Sequence, residues 1–200
     1  MNDLNSKHKK RMQALKERVD SAIATANEER GLCLLLTGDG KAKSSSAFGM
    51  VMRSLGYGKS VAIVQFIKGE QASGEEIYIR EQHPELPFYQ MGTGFTWNTQ
   101  DREADRAAAR QTWDRALALL QDESLHLLVL DELTYMLAFD YLDEAEVLNA
   151  IRHRPRQQHV VITGRGGGKA LRELADTVAE VKNIKHAFES GMRAQEGIDY

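Results

Sequence analysis

The chain has 200 residues, of which 42% are hydrophobic and 28% charged, with 16 Gly and 3 Pro; this is the balance of one folded domain, or of a domain with an appendage, and it excludes disordered and collagen-like chains. A formal charge of −3 argues against broad, charge-driven nucleic-acid binding. The single cysteine, Cys33, excludes an internal disulfide framework and a Cys-rich zinc site, and no apolar run reaches the ~18 residues of a membrane-spanning helix.

Residues 1–30 stand apart. They hold seven Lys/Arg and five Asp/Glu, with no Gly or Pro. Met12, Leu15, Val19 and Ile23 recur at steps of three and four, which places one narrow apolar stripe on a helix. Such a stripe suits docking on a domain or a partner subunit; the alternative is a frayed tail. Lys7, Lys9, Lys10 and Arg11 are followed by no apolar segment, so no signal peptide is expected and the protein is expected in the cytoplasm.

From Gly31 onward strands alternate with helices. The pattern predicts a buried strand over 32–37, a helix over 44–55 closed by Gly56 and Gly58, and a second strand over 61–67. A short helix over 75–82 and a strand over 87–91 follow. A long helix over 101–122 comes next, with Trp113, Ala116, Leu117 and Leu120 on one face. A fourth strand is expected over 125–130, one or two helices over 134–152, and a fifth strand over 159–163. A Gly-rich turn, a helix near 169–175 and a sixth strand over 177–181 complete the pattern, and 183–200 reads as irregular. Buried strands separated by helices indicate an α/β fold, a mostly parallel sheet of about six strands covered on both faces. In such folds ligands bind outside the carboxyl ends of the strands.

The turn after the first strand is Thr37-Gly38-Asp39-Gly40-Lys41-Ala42-Lys43-Ser44-Ser45. Glycines there let backbone N–H groups face phosphates, and the following helix adds its positive end. Lys43 would reach phosphate oxygens and the Ser44 hydroxyl would ligate Mg²⁺. The match is imperfect, because Thr37 and Ala42 fill positions where the strict pattern has Gly; a Gly-rich turn with solvated lysines is the plain alternative. The fourth strand runs into Asp131-Glu132. In a phosphate-loop protein an acid there holds Mg²⁺, and its neighbour can act as base or support; otherwise the pair caps the next helix. After the third strand, Phe95 and Trp97 lie in a Gly-flanked turn, either as a flat platform at a site mouth or folded back into the core. Arg102 and Arg165 fall at the starts of connections on the same face, where an anion could use them. There is no H-E-x-x-H, G-x-S-x-G or G-x-G-x-x-G string, and His126 inside a strand reads as a packed residue.

Taken in order, these strings resemble the phosphate-loop type of ATP:corrinoid adenosyltransferase. The resemblance is carried by 37–45, Gln65-Phe66-Ile67-Lys68-Gly69, Gly94-Phe95-Thr96-Trp97, Leu130-Asp131-Glu132-Leu133-Thr134-Tyr135, Ile162-Thr163-Gly164-Arg165-Gly166, and the tail from Lys185-His186-Ala187-Phe188 to Gly197-Ile198-Asp199-Tyr200. It implies a phosphate-loop fold over 31–200, with 1–30 as a helix that covers the site in a homodimer. It implies transfer of the 5′-deoxyadenosyl group of ATP to Co(I) of a corrinoid such as cobalamin, with triphosphate leaving and a flavoprotein-type reductant supplying Co(I). ATP would lie in the loop in the sense opposite to other phosphate-loop enzymes. Lys41, Lys43, the loop amides and Mg²⁺ would stabilise the leaving triphosphate, with Ser44, Glu132 and Asp131 at the Mg²⁺ positions. Phe95 and Trp97 would replace the lower axial ligand of the corrinoid, and Arg102 and Arg165 would contact it. Two departures stand out: the family loop usually has Asn where this chain has Asp39, and Gly where it has Ala42. They keep open a non-catalytic corrinoid- or nucleotide-binding protein, beside a generic phosphate-loop ATPase or kinase.

Overall fold

A computed structural model describes residues 2–67, 71–92 and 101–200. The chain divides into two units, 1–30 and 31–200. The first is a single helix, α1 (Asn2–Thr25). Met12, Leu15, Val19 and Ile23 lie along it as expected, and all four are exposed.

The second unit alternates strands and helices throughout: β1 (Cys33–Thr37), α2 (Lys43–Gly56), β2 (Val61–Gln65), α3 (Gly74–Gln82), β3 (Phe88–Gln90), α4 (Arg102–Leu120), β4 (Leu127–Asp131), α5 (Leu133–Ala138), α6 (Glu144–Arg152), β5 (His159–Thr163), α7 (Gly168–Leu174) and β6 (Thr177–Glu180). The tail adds only a short 3-10 turn, Ala187–Ser190. The strands form one six-stranded sheet in the order β3-β2-β4-β5-β1-β6, with every neighbouring pair parallel. The predicted strand over 61–67 ends at Gln65, and of the one or two helices expected over 134–152 there are two.

Successive strand residues point to opposite faces, and the two cores follow that alternation. Leu36, Val61, Ile63, Leu127, Val129 and Val161 pack with Ala47, Phe48 and Val51 of α2 and Ile79 of α3. Cys33, Leu35, Ala62, Val64, Leu128, Leu130, Val160 and Ile162 pack with Trp113 and Leu120 of α4, Met136 of α5, Ile151 of α6 and Leu171 of α7. Helices after β1 and β2 therefore cover one face, and those after β3, β4 and β5 the other. Since crossovers are right-handed, the chain must run outward from β1 to β3 on one face and return on the other. β1 ends up next to β5, with their following helices on opposite faces; this is a topological switch point, where α/β folds bind ligands. Burial pushes the Cys33 thiol up to about 11, so it is an unreactive core residue. β6 is exposed along its length, as an edge strand with no helix over it.

His126 differs from its expected place. It lies just outside β4, half-buried, with its ring 4.7 Å from that of His159. The Nδ1 of His159 accepts the Leu32 amide. The pair is packed at the amino ends of the strands, opposite to the site described below.

Trp113 anchors the second core. It is fully buried, its ring lies 6.4 Å from that of Phe66, and its indole N–H donates to Glu146 of α6 at 2.9 Å. Arg110 holds the same carboxylate through both oxygens. Trp113→Ala leaves a cavity and removes the Glu146 contact, so a loss of about 3–5 kcal/mol is expected in urea unfolding.

Candidate nucleotide site at the carboxyl edge of the sheet

The helices reveal the site by how they begin. α3, α4 and α6 start on Ser73, Asp101 and Asp143, whose side chains accept backbone amides of the first turn. α2 and α5 instead follow Ala42 (φ 82°) and Glu132 (φ 59°), both left-handed and without a side-chain cap. L-residues there cost roughly 1–2 kcal/mol each. Such strain concentrates where function requires it. The α2 amides are left for an external acceptor, as in a phosphate loop.

The loop 38–42 is pressed against the chain that leaves β6. Val181 N donates to Thr37 O at 2.8 Å, and Gly40 N donates to Val181 O at 2.8 Å. Gly38 has φ 101°, and a Cβ there would stand 2.3 Å from the Val181 carbonyl oxygen. Any other residue at 38 would force the loop off its floor. The Thr37 hydroxyl donates to Gly166 O at 2.6 Å, which ties the loop to the turn after β5.

Lys43 is the buried cation of the site. Its Nζ donates to Gly40 O at 2.7 Å and only 7% of the residue is exposed. Burial lowers its pKa, and the Glu132 charge opposes that shift. Lys41, nearer solvent, pairs with Asp199 of the tail. Ser44 and Ser45 occupy the first turn of α2, and Asp39 is exposed beside Lys43, on which its charge acts.

The two adjacent acids have separate environments. Asp131 is 2% exposed and its oxygens are engaged: Oδ1 accepts the Thr163 hydroxyl at 2.6 Å, and Oδ2 accepts Gln65 Nε2 at 2.9 Å. Thr163 Oγ1 in turn accepts the Glu132 amide at 2.9 Å. The chain of bonds continues outward, since Gln90 Nε2 donates to Gln65 Oε1 and to Glu76, which Arg80 holds. Glu132 Oε2, by contrast, is buried with no hydrogen-bond partner among the described residues. Burial first, and the Asp131 charge second, push its carboxyl up to about 7, against the pull of Lys43 and Arg165. Gly164 makes room beside it, because a Cβ there would lie 2.0 Å from Thr134 Oγ1 and 3.2 Å from Glu132 Oε2. An orphaned, buried carboxylate oxygen in an oxygen-rich pocket fits a hard cation such as Mg²⁺.

Of the residues expected from sequence, 37–45, Asp131, Glu132 and Arg165 converge here. Arg165 acts on Glu132 and Lys43 through its charge, and its carbonyl accepts the Thr134 hydroxyl at 2.9 Å. Arg102 lies instead at the start of α4. It donates to Phe139 O at 3.4 Å, on a groove of about 460 Å³ shared with Asp105 and Tyr141. Phe95 and Trp97 fall outside the described residues. Gln65, Thr163 and Asp199 stand in the strings that carry the resemblance, but the sequence assigned them no role in the site. Gln65 and Thr163 end strands beside β4, a signal visible only once strand order is known.

A buried carboxyl titrating near 7, against 4.5 when unfolded, destabilises the fold as pH rises between those values. The metal-free Glu132→Gln variant is therefore expected to gain up to roughly 3 kcal/mol at pH 8 and nothing at pH 4.5. Urea unfolding at both values checks this; an equal gain at both would contradict it.

A family model described as "ATP:corrinoid adenosyltransferase BtuR/CobO/CobP" matches residues 29–200. The chain is 50% identical to a corrinoid adenosyltransferase of Escherichia coli K12 over 98% of its own length and 99% of that protein. It is 48% identical to the corrinoid adenosyltransferase CobA of Salmonella typhimurium, over 98% of this chain and 99% of that one. It is also 48% identical to a corrinoid adenosyltransferase of Pseudomonas aeruginosa, over 98% and 97%.

Proposed function

The chain belongs to the ATP:corrinoid adenosyltransferase family, and on that premise we propose how its residues carry the reaction. The enzyme adenosylates corrinoids with ATP. Co(I) of the substrate attacks the ribose C5′, the C5′–O bond breaks, and the electron pair departs with inorganic triphosphate. The reading is carried by the buried Lys43, the uncapped α2 amides and the unpartnered Glu132 oxygen at one end of the sheet, which a metal–triphosphate would satisfy together.

Charge gathers on the leaving triphosphate, so its stabilisation is the main catalytic task. Lys43 and Lys41 supply full charges, and the loop amides other than that of Gly40, which Val181 holds, supply dipoles. Thr37 and the glycines shape the cradle, and Ser44 and Ser45 would offer their hydroxyls from the first turn of α2. Ser44 and Glu132 would hold Mg²⁺, which neutralises phosphate charge when bound. Asp131 can reach the ion directly or through water, but its hydrogen bonds to Thr163 and Gln65 suit it first to fixing the Glu132 backbone. No residue needs to activate a water, because the nucleophile is the metal of the substrate. In this proposal Phe95 and Trp97 form the corrinoid platform, with Arg102 and Arg165 contacting its edge.

The protein is proposed to work as a cytoplasmic homodimer, served by a flavoprotein-type reductant, with residues 1–30 covering the site. No described helix is long and apolar enough to cross a membrane. Anaerobic incubation with Mg-ATP and cob(I)alamin is expected to yield adenosylcobalamin and triphosphate in equal amounts. ADP and phosphate formed without corrinoid would instead support the ATPase reading.

The loop's departures have separable effects. Ala42 is held at φ 82°, so Ala42→Gly relieves strain, offset in part by unfolded-state entropy. A net gain of up to about 1 kcal/mol is expected in thermal unfolding. Asp39→Asn removes a carboxylate beside the triphosphate. Calorimetry is expected to show ATP bound several-fold more tightly, and an unchanged affinity would mean that Asp39 is screened.

A further inference from the structure

The loop has a second neighbour that the reaction above does not use. Gly40 and Lys41 form one wall of a cavity of about 260 Å³ whose other walls come from the tail that follows β6. That is just under the roughly 300–1,000 Å³ of pockets that hold drug-sized ligands. It suits a phosphate group and is too small for a corrinoid.

Beside the apolar Ala187, Met192 and Ile198, the charged part of the lining is mostly cationic, in a chain of net charge −3. Lys182, Lys185 and Arg193 of the tail and Lys41 of the loop line it, against one acid, Asp199. Lys41 already engages Asp199 Oδ1, while Asp199 Oδ2 accepts the Gln195 amide at 2.9 Å. Lys182, Lys185 and Arg193 have no carboxylate partner among the described residues. Three unpaired cations on a concave surface focus positive potential into it. The tail is held in place by the Val181 bonds to Thr37 and Gly40 and by a left-handed Gly191 closing its 3-10 turn. Gly40 and Lys41 belong both to the loop and to the wall of this pocket, which puts the pocket beside any polyphosphate held by the loop.

We propose that this pocket is a phosphate subsite that takes the terminal phosphate of the triphosphate chain, with Lys41 released from Asp199 to the phosphate as it enters. The proposal rests on the adenosyl-transfer reading for its ligand, and it makes the tail part of the nucleotide site. Asp199 then holds Lys41 in the empty loop and competes with the incoming phosphate. Lys185 and Arg193 draw that phosphate in and keep hold of the departing triphosphate.

The test is calorimetry of inorganic triphosphate binding to the full chain in metal-free buffer, with the melting temperature of each variant recorded. The double variant Lys185→Ala, Arg193→Ala is expected to weaken binding tenfold or more. Asp199→Asn keeps an oxygen for the Gln195 amide but loses the charge, and is expected to tighten binding several-fold. A control pair away from the pocket, Lys59→Ala with Arg156→Ala, is expected to stay within twofold of the parent. The proposal is overturned if the tail double variant binds within twofold of the parent, if the control pair loses as much, or if Asp199→Asn weakens binding. Triphosphate binding is read without corrinoid, so it stands apart from the transfer reaction. A parent that binds triphosphate through the tail yet forms no adenosylcobalamin would sink the transfer reading and keep the pocket.

Discussion

The hydroxyl of Thr163 stands at the centre of the site. It donates to the buried Asp131 carboxylate and accepts the amide of Glu132, so one atom fixes both the charge that ends β4 and the turn that follows it. A hydrogen bond to a buried charge is worth about 1.5–3 kcal/mol, and losing its partner leaves that charge desolvated. With Gln65 on the opposite side, Asp131 becomes a clamp across three neighbouring strands, β2, β4 and β5. The clamp holds Glu132 in its left-handed conformation, with its buried Oε2 making no hydrogen bond among the described residues.

From that constraint the electrostatics follow. The fold keeps an unpartnered carboxyl and a buried ammonium at one strand edge, at a cost in stability, and both pKa values move toward neutrality because burial disfavours charge. A metal-bound triphosphate would relieve both. The strain at Ala42 and Glu132 belongs to the same arrangement, since each opens a helix whose first amides are left uncapped. At α3, α4 and α6 ordinary Ser and Asp side-chain caps take that place.

Much of this was legible in the sequence. The run Leu34 to Thr37 followed by glycines and Lys43, and the run Leu127 to Leu130 followed by two acids, announce a phosphate loop and its acidic partner through local chemistry alone. Ala42, where the family loop usually has Gly, stands at a left-handed φ of 82°. Other parts were not legible. Asp131 and Glu132 are chemically near-identical neighbours, and only strand register shows that one is saturated and the other orphaned. Arg102 and Arg165 look alike as connection-starting arginines, yet Arg165 reaches the Lys43–Glu132 cluster and Arg102 faces the Phe139 groove.

The sequence alone determined the alternation of buried strands and helices, the glycine loop, the paired acids and the separate character of residues 1–30. Periodicity and turn chemistry are written within a few residues of each element, and so they survive without any partner. Tertiary structure decided the strand order, which sets Thr163 between the loop strand and the acid strand, and the packing of Val181 and Asp199 against the loop. These contacts join residues up to 158 positions apart in the chain, and no local pattern encodes a pairing over such a distance; only the folded sheet brings the tail to the loop.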